Sequence, residues 1–274
     1  MSLSIGDFVN SIADPADAKA VQGIVENFGD VCPADIIRQS SLDRDYTYEE
    51  FETNPVSAGI AGGAATGTAG DENVIILEDN IFEYHMMGTQ TILAPSLVAT
   101  GLLVSLDLTD NDGAEYTQGI TAKSRSAFVV GTSPPFFLRV KFSIADVSGT
   151  DDCAVGFRLA EAYQANIDDY DTFACLNIIG GAIKTETDID GAGTTTTDTT
   201  DTWGDGETHT LEVYVSAIGA VTYKVDGVAP TTTVAMTITD GDTVVPFFYF
   251  LHATTSPGNI ILQSWECGPQ SAMV

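Results

Sequence analysis

Between residues 120 and 265 the chain keeps a period of two and leaves no room for a helix of ordinary length. In 137–144, Leu138, Val140, Phe142 and Ile144 alternate with Arg139, Lys141 and Ser143. Successive side chains of a strand point to opposite faces, so this stretch predicts a strand with one apolar and one wet face. Cys153, Val155, Phe157 and Leu159 repeat the pattern, with Arg158 on the other face. His209, Leu211, Val213 and Val215 do so again, opposite Thr210, Glu212 and Tyr214. Val221, Tyr223 and Val225 follow, closed by Asp226-Gly227. Denser apolar runs at 74–77, 102–106, 244–251 and 260–262 suit strands buried more fully. Many short antiparallel strands with one wet face bury their apolar faces by packing as two sheets. The expected fold is therefore mainly β, an antiparallel two-sheet sandwich over residues 71–274.

Two segments precede it. Residues 1–56 are helical in period: Ile5, Phe8, Val9 and Ile12 share one helix face behind Ser4 as N-cap. Asp14-Pro15 opens a second helix with the stripe Val21, Ile24, Val25 and Phe28, ended by Gly29. Helices this few cannot enclose a core, so their stripes must dock on the sandwich or on another chain. Residues 43–51 are polar and aromatic, with Tyr46, Tyr48 and Phe51. Residues 57–70, SAGIAGGAATGTAG, read as a Gly/Ala-rich linker or as an extended strap tied down by its backbone. The run TTTTDTTDT at 194–202 is an edge strand whose aspartates block edge pairing, or a long loop.

Charge excludes several classes of function. The 274 residues carry 39 Asp plus Glu against 10 Lys plus Arg, a net charge of −29. Nucleic-acid binding needs clustered cations to displace counterions, and none are clustered here; an anionic membrane surface is repelled as well. The longest apolar stretch, 93–106, is shorter than the ~20 residues of a membrane span and is interrupted by Pro95 and Gly101. No Lys or Arg precedes Lys19 and no cleavable apolar region follows, so no secretory signal is read and synthesis in a cytoplasm is expected. Cys32, Cys153, Cys175 and Cys267 show no zinc spacing and are expected as reduced thiols, with a Cys153–Cys175 bridge as the alternative.

The segment Trp203-Gly204-Asp205-Gly206-Glu207-Thr208-His209-Thr210-Leu211-Glu212-Val213, followed by Gly219-Ala220-Val221-Thr222-Tyr223-Lys224-Val225-Asp226-Gly227, resembles the hairpin of concanavalin-like and laminin-G-like sandwiches. That resemblance implies a jelly roll and says little about function. The segments at 107–113, 147–158 and 163–171 resemble structural proteins of tailed bacteriophages. What that implies is a virion component displayed on the particle exterior: a capsid decoration or cement protein, with the major capsid protein and copies of itself as partners. Ile5, Phe8, Val9, Ile12, Val21, Ile24, Val25 and Phe28 are then the interface candidates.

The alternative function is a carbohydrate-binding lectin-like module, free or virion-borne, that touches host surface glycans. Sugar sites use exposed aromatics beside polar groups, and Trp203, Tyr163 and Tyr170 are the candidates. Calcium takes six to eight loop oxygens; Asp110, Asp112, Asp151, Asp152, Asp168 and Asp169 are the candidate ligands, although Asp-Asn-Asp-Gly also suits any tight turn. No enzyme is expected. Glu186-Thr187-Asp188-Ile189-Asp190 is the nearest approach to a glycosidase strand, but it runs into a turn without tryptophans nearby and reads as a solvated acidic face. None of the three histidines, His85, His209 and His252, has the setting of a hydrolase base.

Overall fold

The computed structural model describes residues 46–51, 72–76, 81–88, 95–105, 111–118, 127–253 and 259–273. The chain divides into two compact units, residues 45–271 and residues 1–44 with 272–274, and the account below is of the first. Its strands are, in order, β1 (Thr47–Glu50), β2 (Glu72–Ile76), β3 (Ile81–Met87), β4 (Ser96–Val98), β5 (Gly101–Leu103), β6 (Gly113–Thr117), β7 (Phe128–Val129) and β8 (Phe136–Ile144). There follow β9 (Thr150–Leu159), β10 (Phe173–Ile179), β11 (Ala182–Asp188), β12 (Thr195–Thr202), β13 (Thr208–Val215), β14 (Val221–Val225), β15 (Thr243–His252) and β16 (Ile260–Pro269). Among the described residues only three short 3-10 turns interrupt the strands, and there is no α-helix. The helices expected over the stripes from Ile5 to Phe28 lie outside the described residues, as does the linker 57–70.

Two antiparallel sheets form. The seven-stranded sheet runs β14-β13-β8-β16-β5-β4, with β1 also on β16; the nine-stranded sheet runs β12-β11-β10-β9-β15-β6-β3-β2, with β7 also on β15. The alternation read from sequence decides which side chains face between them. Leu138, Val140, Phe142 and Ile144 of β8 and Cys153, Val155 and Phe157 of β9 join one core with Leu211, Val213, Phe248, Phe250, Trp203 and Trp265. Burying a side chain of this size contributes roughly 1.5–3 kcal/mol. Phe142 bridges the layers, stacking obliquely on Trp203 at 4.6 Å and meeting Phe248 edge-on at 5.0 Å.

Two expectations are corrected. Cys153 lies in the inter-sheet core, whereas Cys175 lies on the outer side of the nine-stranded sheet, so no bridge joins them. Both are free, buried thiols, as is Cys267. The stretch 43–51, placed in the helical arm, supplies strand β1 instead, and Phe51 sits in the core against Phe82. The Thr-rich run is an edge strand: β12 pairs with β11 alone. Its edge is blunted locally, because Asp198 Oδ1 accepts from the Thr200 amide and Thr199 Oγ1 from the Asp201 amide.

Candidate functional site

The outer face of the nine-stranded sheet carries the chemistry. Residues facing outward on β9 are Asp152, Ala154, Gly156 and Arg158; the register sets Asn177 beside Ala154, Cys175 beside Gly156 and Phe173 beside Arg158 on β10. On β11, Lys184, Glu186 and Asp188 continue those rows, and Thr196 and Asp198 of β12 extend them. The connection 160–172 folds back over the middle of this face. Its Ile167 and Tyr170 are buried against Ala154, Phe173, Cys175, Phe247 and Tyr249, a second apolar cluster outside the main core. Tyr249 donates to the Ala165 carbonyl at 2.9 Å and fixes the strap from below.

At one end the strap closes over an ion pair. Arg158 Nε donates to Glu115 Oε1 at 2.5 Å, and neither side chain has any exposed surface. Tyr170 donates its hydroxyl to the other Glu115 oxygen, and its ring lies 4.3 Å from the guanidinium carbon. Arg158 Nη1 donates to the carbonyls of Leu159 and Glu161, while Nη2 has no partner among the described residues. Burial works most strongly against the guanidinium charge, and Glu115, Tyr170 and Tyr163 together outweigh it and leave the pKa raised. Tyr163 stacks on His85 with ring centres 4.7 Å apart, and both are half-buried.

At the other end, where Lys184 stands opposite Asn177, the carboxylates of Asp152 and Glu186 make no ion pair among the described residues. Asn177 Nδ2 donates to Asp152 Oδ1 and to Glu186 Oε2, each at 2.6 Å. Asn177 Oδ1 accepts from the Cys153 amide, which fixes the side-chain amide's orientation, and Thr196 donates to Glu186 Oε1 at 2.9 Å. Burial, followed by the charges of Glu186, Asp151 and Asp168, raises the Asp152 carboxyl to about 6 in spite of the bond from Asn177. Glu186 and Asp188 are 5% and 4% exposed. The solvated acidic face expected at 186–190 is thus a buried one at these two positions; Asp188 keeps one oxygen unpartnered among the described residues.

The residues singled out from sequence divide accordingly. Asp151, Asp152 and Asp168 converge electrostatically, Asp169 is instead held by Asn166, and Asp112 is buried just before β6. Asp110 and the eight arm residues lie outside the described residues. Among those described, no three His, Cys, Asp or Glu side chains stand close enough to hold one metal ion. Trp203 is 2% exposed and Tyr170 1%, so neither presents a ring to a sugar; Trp203 fills the core, and Tyr170 holds the strap. Tyr163 alone of the three aromatics keeps exposed surface. Sequence reasoning missed Asn177, Glu115 and the burial of Arg158. The signal lay in Ile167 and Tyr170, two large apolar groups in an otherwise polar connection, which need a surface to cover.

No protein-family model matches the sequence, and no curated protein is similar to it in sequence. Solved structures share the outline of the sandwich. The metal-free carbohydrate recognition domain of Emp46p aligns with a TM-score of 0.46 at 6% identity, covering 67% of this chain and 87% of that one. Alginate lyase PA1167 from Pseudomonas aeruginosa gives 0.44 at 12%, covering 72% and 86%. Galectin LEC-6 from Caenorhabditis elegans gives 0.34 at 17%, covering 56% and 95%. At these values none carries an argument about this chain's chemistry; its own strand pairing establishes the sandwich.

Proposed function

We propose that the protein is a glycan-binding module and that the outer face of its nine-stranded sheet is the receptor surface. The row Asp152–Asn177–Glu186–Thr196 carries this reading. Half-buried Asp152 and exposed Thr196 present a carboxylate and a hydroxyl at the surface, and the buried Asn177 and Glu186 between them hold both in orientation. Sugar hydroxyls donate and accept at once, so a pre-oriented row of this kind needs little reorganisation to bind them. Six residues along β9, roughly 20 Å at strand rise, Arg158 lies against the ring of half-buried Tyr163, which His85 stacks on, so that Tyr163 borders the far end of the face. The net charge of −29 favours neutral glycans over sulfated or uronate-rich ones. Virion display with an arm docked on a capsid rests on the resemblance alone and adds nothing to this reading of the face.

The test is retention on neutral β-linked oligosaccharides such as cello-, xylo-, manno- and chito-oligomers, with and without calcium. Tyr163→Ala and Thr196→Ala are expected to weaken binding at least fivefold each with the fold intact. Wild-type protein that binds none of these glycans sinks the proposal. Release of new reducing ends would put turnover in place of binding, since a carboxylate pair like Asp152 and Glu186 is also what glycoside hydrolysis employs.

A further inference from the structure

The edge of β16 is shared by two strands laid end to end. β5 covers Ile261 and Leu262, and β1 covers residues 264–267, with Thr47 opposite Cys267, Tyr48 opposite Glu266, Glu49 opposite Trp265 and Glu50 opposite Ser264. Residues 46–51 sit in this gap like an added peptide strand. Tyr46 donates to Glu266 Oε1 at 2.9 Å, and Phe51 donates its amide to the Gln263 carbonyl at 2.8 Å. Phe51 plugs the core 6.0 Å from Phe82. Gly268 makes room for Tyr46: a Cβ there would come within 2.6 Å of the Tyr46 ring and 3.0 Å of its Cα.

These contacts are made with residues 82 and 263–268, all beyond the connection that follows β1 in sequence. That connection, residues 52–71, separates Phe51 from Glu72 and reaches roughly 65 Å at about 3.3 Å per residue. The same bonds therefore form whether the strand comes from its own chain or from an adjoining one, the condition under which an element is exchanged between copies.

We propose that this edge of β16 is a strand-acceptor site whose second occupant is residues 46–51 of another copy of the chain, so that copies join by strand exchange. The tether favours the chain's own strand at an effective concentration on the order of millimolar. Exchange is then rare at micromolar protein and extensive as the local concentration approaches a millimolar, the regime of an assembly.

Thr47→Cys tests this with a native partner, because Cys267 lies directly across the strand pair on the same face. The variant, with Cys32→Ser to remove an unrelated thiol, is refolded at a few micromolar and at about one millimolar, oxidised, and run on non-reducing gels. Expected are intrachain disulfides at the low concentration and disulfide-linked dimers rising at least tenfold in fraction at the high one, both abolished by Cys267→Ser. Intrachain disulfides alone at both concentrations overturn the proposal, and absence of any disulfide between positions 47 and 267 in folded protein overturns the acceptor register with it. If the variant does not fold, wild-type chains bearing two different tags are co-refolded at one millimolar. Mixed dimers support exchange if Gly268→Ala, which displaces Tyr46, reduces them; their absence counts against it.

Discussion

The sandwich has two outer faces, and they treat charge in opposite ways. On the seven-stranded sheet a cross-strand row runs Lys224, Glu212, Arg139, Glu266, with Tyr48 at its end. Arg139 reaches both carboxylates, Glu266 at 2.8 Å and Glu212 at 3.2 Å, and its own side chain stays 28% exposed. Acid and base alternate, and each carboxylate has a cation beside it. On the nine-stranded sheet Arg158 is committed to Glu115 beneath the strap, and the carboxylates at the far end, Asp152 and Glu186, share only the neutral amide of Asn177. A face whose charges are mutually satisfied is finished as a scaffold. A face that holds buried carboxylates by neutral groups leaves part of their desolvation cost unrecovered.

The largest expected effect separates the two arginines. Arg158→Met leaves Glu115 uncompensated in a site without solvent and is expected to cost about 3–5 kcal/mol. Arg139→Met, at a partly wet row with Lys224 next to Glu212, is expected to cost about 1–3 kcal/mol. Replacing the whole buried pair, Arg158→Met with Glu115→Leu, should restore most of the loss, because apolar groups of similar volume need no compensation. Urea denaturation of the four proteins measures all of this. Equal losses at the two arginines, or a double variant no better than the single, would erase the contrast.

The contrast between the faces was only half legible in the sequence. Alternation placed Leu138, Val140 and Phe142 inward and Arg139 outward, and the structure keeps that order. The same rule put Arg158 on the outer face, which is where it lies, but period two says nothing about what covers a face. Burial of Arg158 depends on Tyr170, twelve residues on, and on Glu115, forty-three residues back, contacts that no local pattern encodes. Asn177 was passed over for a related reason. A lone asparagine in a strand acquires meaning only when register sets it among Asp152, Glu186 and the Cys153 amide. The hairpin motif from Trp203 to Gly227 was readable because its bonds join residues of the motif itself: Trp203 Nε1 donates to the Glu207 carbonyl, and the Thr210 amide donates to the Asp226 carboxylate.

A middle-sized effect bears on the unfinished face. Asp152 has its carboxyl raised from 3.8 to about 6, so the folded chain takes up this proton before the unfolded chain does. Its contribution to stability is best at low pH, falls as pH rises from about 4 to 6, and stays low above that. Asp152→Asn should therefore stabilise the protein by about 1–3 kcal/mol at pH 7.5 and by nothing at pH 3.5. Thermal denaturation at the two pH values checks the sign. A variant less stable at pH 7.5 would mean that Asp152 is a satisfied structural anion like Glu212, and the two faces would then be alike.

The smallest effect tests whether the balanced sheet answers pH in the same direction for a different reason. At its rim His209 lies between Asp226, 2.7 Å from Nδ1, and Glu207, 3.2 Å from Nε2, with its ring edge-on to Trp203. Burial pulls the imidazole pKa down, and the bonds to Asp226 and Glu207 more than reverse this, leaving it raised above 6.5. The protonated ring then stabilises the fold fully below pH 6.5, and the contribution is lost as pH rises through the folded-state value. Both carboxylates are about half exposed, so solvent screening limits the gain to about 0.5 kcal/mol. His209→Gln should lower stability by that amount at pH 5.5, with the deficit closing by pH 9. Stability at this rim thus rises with protonation because a cation joins two carboxylates, whereas at Asp152 it rises because a carboxylate disappears. A deficit in His209→Gln that persists unchanged at pH 9 would show that packing on Trp203, rather than charge, holds the hairpin.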